Sequence, residues 1–154
     1  LGDVYKRQSS IRDFGVKLKL NAQAEVLAGK RVVVVDDSIV RGTTSRKIIQ
    51  MIRNAGAREV HMRVSSPPTI SSCYYGVDTP NSDELIAAMQ SLEEVRTHIT
   101  ADSLGFLSEE GLFCFVDSAE QARFCAACFT KRYPVPIDAD APTHQLILFE
   151  AVEH

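Results

Sequence analysis

The feature that most constrains the fold is a run of four valines, residues 32–35, followed at once by Asp36 and Asp37. A continuous run of β-branched residues is typical of a strand that is buried on both faces, as a central strand of a parallel sheet is. From about Thr43 the apolar residues change to helical spacing. The pattern therefore predicts a central parallel strand whose carboxyl end carries two acids and leads through a short polar loop into a helix.

The residues after this loop predict a strand–helix–strand unit. Apolar side chains recur at helical spacing, at Ile48, Ile49, Met51, Ile52 and Ala55. The glycine in residues 54–56 suits the end of a helix, and residues 58–64 alternate apolar and polar side chains as a strand does. A strand, a helix and a strand in this order form a βαβ unit, in which the two strands are parallel and the crossover is right-handed. We therefore expect an α/β fold with a parallel sheet.

The second half of the chain is predicted to be mainly helical. Two prolines in residues 65–68 end the second strand, because proline cannot donate to a strand ladder. Helix starts with an acid three residues on are predicted at residues 81–84 and 91–94, and they open helices over 85–90 and 92–99. Residues 118–121 form a further capping box, which ends in glutamine, and the helix that it opens is predicted to carry Cys125 and Cys128 on one face. Residues 104–116 fit a helix or a short strand. We therefore expect a partial parallel sheet with flanking helices and a helical carboxyl-terminal extension.

Length and charge exclude several classes of protein. A chain of 154 residues can form a single domain with a sizeable core. A net charge of −3, with both signs scattered, argues against binding nucleic acid through a basic face. No apolar run approaches the roughly 20 residues of a membrane span, and no signal sequence is evident. We expect neither a nucleic-acid nor a membrane partner, and a cytoplasmic location.

Three segments can be distinguished by pattern. Residues 1–10 lack periodic apolar residues, and we interpret them as a non-native or disordered leader. Residues 11–137 carry the predicted domain and its helical extension, and residues 138–154 form a tail in which only 146–149 suggest a short strand. Residues 17–20 alternate lysine and leucine, which fits a short half-exposed strand. The chain begins with Leu1 rather than Met, which we interpret as the mark of a fragment.

The loop after the valine strand has the composition of a phosphate-binding site. Ligands of open α/β sheets bind at the carboxyl ends of the strands, where Asp36 and Asp37 are predicted to lie. Small and hydroxyl residues that open a helix leave backbone N–H groups free for an anion, and the loop contains Ser38, Arg41, Gly42, Thr43 and Thr44. The two acids suit ribose hydroxyls or a magnesium ion. A surface turn with two solvated acids is the less favoured alternative.

The four cysteines favour reduced thiols or a metal over a disulfide framework. Cys125 and Cys128 form a C-x-x-C pair, which by itself fits a redox pair, half of a zinc site or chance. Cys73 follows the two prolines. Cys114 lies between two phenylalanines and is predicted to be a buried core residue. The four histidines share no ligand spacing and are interpreted as structural or surface residues.

Residues 32–44 resemble the signature of type I phosphoribosyltransferases, which bind 5-phosphoribosyl 1-pyrophosphate (PRPP). Residues 65–68 and 75–78 narrow the resemblance to the carboxyl-terminal part of the amidophosphoribosyltransferases. The similarity extends over about residues 11–137 and implies a type I phosphoribosyltransferase-like α/β fold.

The resemblance also implies residue roles. Asp36 and Asp37 would hold the ribose hydroxyls of PRPP and its magnesium ion, and Lys19 would lie near the pyrophosphate. Ser38, Arg41, Gly42, Thr43 and Thr44 would bind the 5′-phosphate. Some members of the family carry a [4Fe–4S] cluster, and Cys73, Cys125 and Cys128 resemble three of its four ligands, the fourth lying outside this chain.

The implied activity is that of a glycosyltransferase and glutamine amidotransferase at the first committed step of de novo purine synthesis. Ammonia derived from glutamine would react with PRPP to give 5-phosphoribosylamine and pyrophosphate. The glutaminase domain is not visible in this sequence, so the chain alone is expected to be inactive. The resemblance further implies a homo-oligomer that purine nucleotides inhibit.

Three alternatives remain at this point. The chain could belong to another type I phosphoribosyltransferase, such as one that acts on a nucleobase, although the three cysteines argue against it. It could be a regulator that binds PRPP without catalysis. It could also be a structural metal module in which the cysteines matter and the acids do not.

Overall fold

The sheet is parallel, as predicted, and has three strands in the described part of the chain. The computed structural model describes residues 21–137, in which β1 (Arg31–Asp36), β2 (Glu59–Val64) and β3 (Ser103–Phe106) are paired in that order. Val32 is opposite Val60, and Met62 is opposite Leu104. The predicted leader (1–10), the lysine–leucine stretch with Lys19 and the predicted strand at 146–149 lie outside the described residues.

Most of the helices are short, and α2 is the longest of those described. The helices are α1 (Ala24–Leu27), α2 (Thr43–Asn54), α3 (Ile86–Met89), α4 (Leu92–Ile99), α5 (Glu109–Leu112), α6 (Ser118–Gln121) and α7 (Ala127–Thr130), with a 3₁₀ turn at Ser82–Glu84. The start of α4 is the predicted capping box, since Ser91 accepts from the Glu94 N–H and the Glu94 carboxylate accepts from the Ser91 N–H. The helix predicted over 85–90 is present as α3, but it begins after Leu85, and the predicted start at 81–84 forms the separate 3₁₀ turn.

The stretch from 104 to 116 contains both of the expected alternatives. It supplies β3 at its start and α5 further on. Among residues 21–137, no helix is long and apolar enough to cross a membrane.

The position of β1 differs from the prediction. A central strand was predicted, but among residues 21–137 no strand pairs with the other side of β1, so in this part of the chain β1 lies at the edge of the sheet. Val32 and Val34 pack against the core, whereas Val33 is 60% and Val35 71% exposed. The valine run was interpreted as two buried faces, but the described residues cover only one face of this strand.

The predicted helix carrying both cysteines of the C-x-x-C pair is also wrong. Helix α6 begins at Ser118 with Asp117 in extended conformation as its N-cap residue, and ends at Gln121. Cys125 lies between α6 and α7, and only Cys128 is helical. The backbone of Ala126, with φ −120° and ψ 21°, departs from helical geometry, so the two cysteines do not share one helical face.

The core lies between the sheet and helices α2 and α4. β2 alternates, with Val60, Met62 and Val64 buried. Ile49 of α2 and Ile99 of α4 are fully buried in the same cluster. This packing fixes the start of α2 against the end of β1, where the two acids lie.

Candidate functional site

Asp36 and Asp37 lie where β1 ends, and local hydrogen bonds hold both side chains. The N–H of Asp37 donates to the Asp36 carboxylate (3.0 Å), and the N–H of Ser38 donates to the Asp37 carboxylate (2.8 Å). Ser65, which follows β2, donates from its N–H (2.9 Å) and from its hydroxyl (3.1 Å) to the Asp36 carbonyl oxygen. Ile39 is buried and anchors the following loop. The hydrogen bonds from the Asp37 and Ser38 N–H groups therefore orient both carboxylates at the strand end.

A cavity of about 360 Å³ lies over this loop. It is lined by Asp36, Asp37, Ser38, Val40, Arg41, Gly42, Thr43, Thr44, Ser45 and Lys47. The structure thus brings together every predicted member of the loop, while Lys19 lies outside the described residues. Lys47 also lines the cavity but was not predicted from the sequence. It lies one helical turn after Thr43, and this spacing could have indicated that the two residues share a face of α2.

The amino terminus of α2 opens into this cavity. Its N-cap residue is Gly42, so no side chain caps the first turn. The first N–H groups of a helix have no partner within the helix, and the helix dipole places partial positive charge there. Thr43 and Thr44 are exposed and add hydroxyl donors. The arrangement suits a phosphate group.

The packing behind the loop explains why a glycine stands at position 42. Its φ of +73° is left-handed, and a Cβ atom there would lie 3.1 Å from His98 Cδ2 and 3.1 Å from Ile86 Cδ1. These side chains belong to α3 and α4, behind the loop. A side chain at this position would therefore collide with the support of the loop rather than fill the phosphate space.

Burial and charge both act on the acids. Burial, followed by the contacts with Asp37, raises the pKa of Asp36, while the hydrogen bond from the Asp37 N–H opposes this rise. A carboxylate that is disfavoured in its charged form beside a second acid gains from a bound cation or from hydroxyl donors. The donor set therefore fits a magnesium ion or a ribose diol.

Arg41 faces the cavity but is also paired. Its Nη2 atom lies 2.5 Å from Oε2 of Glu84 in the 3₁₀ turn. The N–H of Ile86 donates to the Val40 carbonyl oxygen (2.9 Å), so the same segment holds the loop twice. Glu84 was predicted only as a helix-start acid; its contact with Arg41 joins residues 43 positions apart and has no local signal.

A second cavity, of about 540 Å³, adjoins the acids. Its lining includes Asp37 and Ser38 at one side and Cys73, Cys125 and Cys128 at the other. Burial raises the pKa of the Cys128 thiol, and the neighbouring Cys125 and Cys73 raise it further. The structure therefore brings the three predicted cysteines to one cavity, which we call the thiol cavity.

Hydrogen bonds hold the two sides of the thiol cavity together. The N–H groups of Ile70 and Ser71 donate to the Cys128 carbonyl oxygen (2.9 and 3.0 Å). The Tyr133 hydroxyl donates to the Ser72 carbonyl oxygen (2.6 Å). The loop that carries Cys73 is thereby attached to α7 and to the residues that follow it.

Cys114 does not lie in the core as predicted, since its side chain is exposed. It follows α5 in a turn whose next residue, Phe115, is 69% exposed, so its apolar neighbours do not enclose it. In the described part of the chain no three His, Cys, Asp or Glu side chains converge closely enough for a single metal ion. The cluster ligands that the resemblance implies, Cys73, Cys125 and Cys128, therefore stay a prediction.

Comparison with known proteins identifies the family. A family model described as a phosphoribosyl transferase domain matches residues 2–97. The chain belongs to the phosphoribosyl transferase domain family. The type I phosphoribosyltransferase-like fold predicted from the sequence is thereby confirmed.

Relatives of this phosphoribosyl transferase domain share much of its sequence. The chloroplastic amidophosphoribosyltransferase 2 of Arabidopsis thaliana is 62% identical over 125 residues, 81% of this chain and 22% of that protein. The amidophosphoribosyltransferase of Archaeoglobus fulgidus is 52% identical over 132 residues, 85% of this chain and 29% of that protein. The predicted resemblance to this family is confirmed.

A solved structure of an enzyme of this kind also matches the chain. The glutamine phosphoribosylpyrophosphate amidotransferase from B. subtilis, complexed with ADP and GMP, is 52% identical with a TM-score of 0.73 and covers 85% of this chain and 30% of that chain. The chain spans about a quarter of the length of the relatives it matches. Because relatives include chloroplastic proteins, the expected cytoplasmic location stays a prediction.

Proposed function

We propose that this chain is the PRPP-binding part of an amidophosphoribosyltransferase, which forms 5-phosphoribosylamine from PRPP and ammonia in purine synthesis. The observation that carries the proposal is the cavity at the end of β1, where two fixed acids face an uncapped helix amino terminus. Its relatives of 48–62% identity named amidophosphoribosyltransferase support this choice over a nucleobase phosphoribosyltransferase.

The residues of the cavity suit the parts of PRPP. The loop from Ser38 to Thr44 would hold the 5′-phosphate through backbone N–H groups and hydroxyls. Asp36 and Asp37 would accept from the ribose hydroxyls and hold a magnesium ion. When bound, magnesium stabilises the charge of the departing pyrophosphate. Lys19 remains a proposed contact of that pyrophosphate.

The chemistry needs no nucleophilic side chain. The ammonia lone pair forms a bond to the anomeric carbon, and the bond from that carbon to the pyrophosphate oxygen breaks, so pyrophosphate leaves with the electron pair. Positive charge develops on the sugar during this displacement, and the carboxylates of Asp36 and Asp37 lie at the strand end to stabilise it. The new ammonium group then loses a proton to give the amine.

The remaining partners are proposals of the same kind. Ammonia would come from glutamine through a domain outside this chain, and the intact enzyme would be a homo-oligomer inhibited by purine nucleotides. Cys73, Cys125 and Cys128 would hold three irons of a [4Fe–4S] cluster, with the fourth ligand outside this chain. Since the reaction transfers no electrons, such a cluster would serve structure or oxygen sensing.

Calorimetric titration of the 154-residue chain with PRPP and magnesium tests the proposal. Wild type should bind, and Asp37→Asn should lower the affinity at least tenfold because it removes a charged ligand of the magnesium–ribose unit. Asp117→Asn, which changes an acid outside both cavities, is the matched control and should bind as wild type does. Equal affinity of wild type and Asp37→Asn would contradict the proposal.

A further inference from the structure

The phosphate-binding loop is supported from behind by residues 82–99. Ile86 donates its N–H to the Val40 carbonyl oxygen at 2.9 Å, and its Cδ1 atom packs behind Gly42. Arg41, the cationic residue between these two contacts, pairs with Glu84 at 2.5 Å. Three consecutive loop residues, 40–42, are thus held by one segment.

Arg41 depends on this pair for a defined position. Its side chain is 45% exposed and that of Glu84 is 43% exposed, so neither is fixed by packing. A long, exposed arginine otherwise samples many rotamers, and ordering it on ligand binding lowers affinity. The contact uses the Nη2 atom, and a guanidinium has five N–H donors, so other donors remain for an anion.

We propose that Glu84 is a positioning residue for the substrate: it holds the Arg41 guanidinium at the rim of the phosphate cavity before the ligand arrives. This inference rests on the proposed function, because the anion is taken to be the 5′-phosphate of PRPP. Glu84 itself does not line either cavity beside the acids, so it acts only through Arg41.

The contact also has a structural origin that the loop alone cannot supply. Glu84 ends the 3₁₀ turn, where its N–H donates to the Asn81 carbonyl oxygen at 2.9 Å. The next residue, Leu85, is fully buried and fixes the turn against the protein. The carboxylate is therefore presented from an anchored turn, whereas Arg41 comes from a loop.

The test measures binding of PRPP with magnesium, and of ribose 5-phosphate, to the 154-residue chain. E84Q removes the charge but keeps the shape, and should weaken binding of both ligands threefold to tenfold with an unchanged melting temperature, because exposed ion pairs contribute little to stability. E93Q is the matched control: Glu93 is an exposed acid paired with Arg96 on α4, away from the loop, and its substitution should leave both affinities unchanged.

A double-variant comparison shows whether Glu84 acts through Arg41. R41Q/E84Q should bind within twofold of R41Q, since the second substitution has nothing left to position. Where R41Q binding is too weak to measure, the guanidinium NMR signal of Arg41 decides: it should be distinct in wild type and merge with exposed arginines in E84Q.

The outcomes separate the two proposals. If wild type binds the ligands and the affinity of E84Q is within twofold of wild type, or higher, the role of Glu84 is overturned. The proposed function is then left intact. A further loss in R41Q/E84Q relative to R41Q, or an Arg41 signal that E84Q leaves unchanged, also overturns it. Absence of wild-type binding to either ligand overturns the proposed function and this inference together.

Discussion

Gly42 meets two independent requirements at the residue scale. Its backbone is left-handed, which disfavours any residue with a Cβ atom, and the space on its side-chain direction is already filled by Ile86 and His98. The loop conformation and its packing against α3 and α4 thus both depend on the absence of a Cβ atom at position 42. Substitution here should therefore affect folding as well as ligand binding.

A left-handed backbone alone costs an alanine about 1–2 kcal/mol. Gly42→Ala should lower the free energy of unfolding by more than this, because the added Cβ atom would also press against His98 and Ile86. The matched control is Gly29→Ala, because Gly29 has φ +71° but no atom lies within 4 Å of the position that its Cβ atom would take. Urea unfolding of both variants measures the difference, which reports the contacts with His98 and Ile86. Equal destabilisation of the two variants would show that the packing contact has no effect.

At the scale of elements, one acid ties two strands to the long helix. Asp102 precedes β3, and its carboxylate accepts from the Val60 N–H of β2 (2.6 Å) and from the Arg53 guanidinium of α2 (2.8 Å). Arg53 also donates to the Thr100 carbonyl oxygen (3.0 Å). The hydrogen bond from Val60, followed by the charge of Arg53, lowers the pKa of Asp102.

Asp102→Asn should lower the free energy of unfolding near neutral pH by about 1–2 kcal/mol, a value reduced because the carboxylate is partly exposed. A carboxyl group whose pKa is lower in the folded state stabilises the fold above its unfolded pKa of about 3.9, and this contribution is lost as the pH falls through the folded pKa. The free energy of unfolding of Asp102→Asn should therefore fall less between pH 7 and pH 3 than that of wild type. Urea unfolding between pH 7 and pH 3 measures this, with Asp83→Asn as an exposed control; parallel curves for Asp102→Asn and wild type would contradict it.

The elements that could be predicted from sequence are those with local causes. Helix α2 follows from apolar spacing and its glycine stop, and α4 from the capping box at Ser91. The order of acids, glycine and threonines similarly predicted the phosphate loop. These features need only neighbouring residues.

The elements that were mispredicted depend on distant partners. Four valines specify a strand but not how many strands flank it, so the edge position of β1 could not be read from them. The break between Cys125 and Cys128 reflects the attachment of α7 to residues 70–71, more than fifty positions earlier. The Arg41–Glu84 pair has the same origin.

At the scale of the whole molecule, the thiol cavity joins the carboxyl-terminal part to the sheet. Cys73 follows β2, whereas Cys125 precedes α7 and Cys128 lies within it. The hydrogen bonds of Tyr133 and Ser71 hold these parts together. The cavity also borders Asp37, so the proposed cluster and the phosphate loop share a wall.

Anaerobic reconstitution with iron and sulfide should load the chain weakly, because the proposed cluster takes three thiolates from this chain and its fourth ligand from outside it. Cys73→Ser should lower the bound iron several-fold, since it removes one of those three ligands. Cys114→Ser is the matched control, as Cys114 is exposed and outside the thiol cavity. Iron content by chemical assay decides; equal loss in both variants, or none in Cys73→Ser, would contradict the ligand assignment.

The most direct test of the proposed site is the location of PRPP on the chain. Amide NMR shifts of the ¹⁵N-labelled protein should change on adding PRPP with magnesium, and we expect the largest changes in residues 36–44, around the cavity at the end of β1. Another cavity, of about 490 Å³ and lined by residues that include Glu109, Phe124 and Arg132, lies apart from this loop and provides an internal comparison. Changes centred on that other cavity, with residues 36–44 unaffected, would contradict a PRPP site at the end of β1.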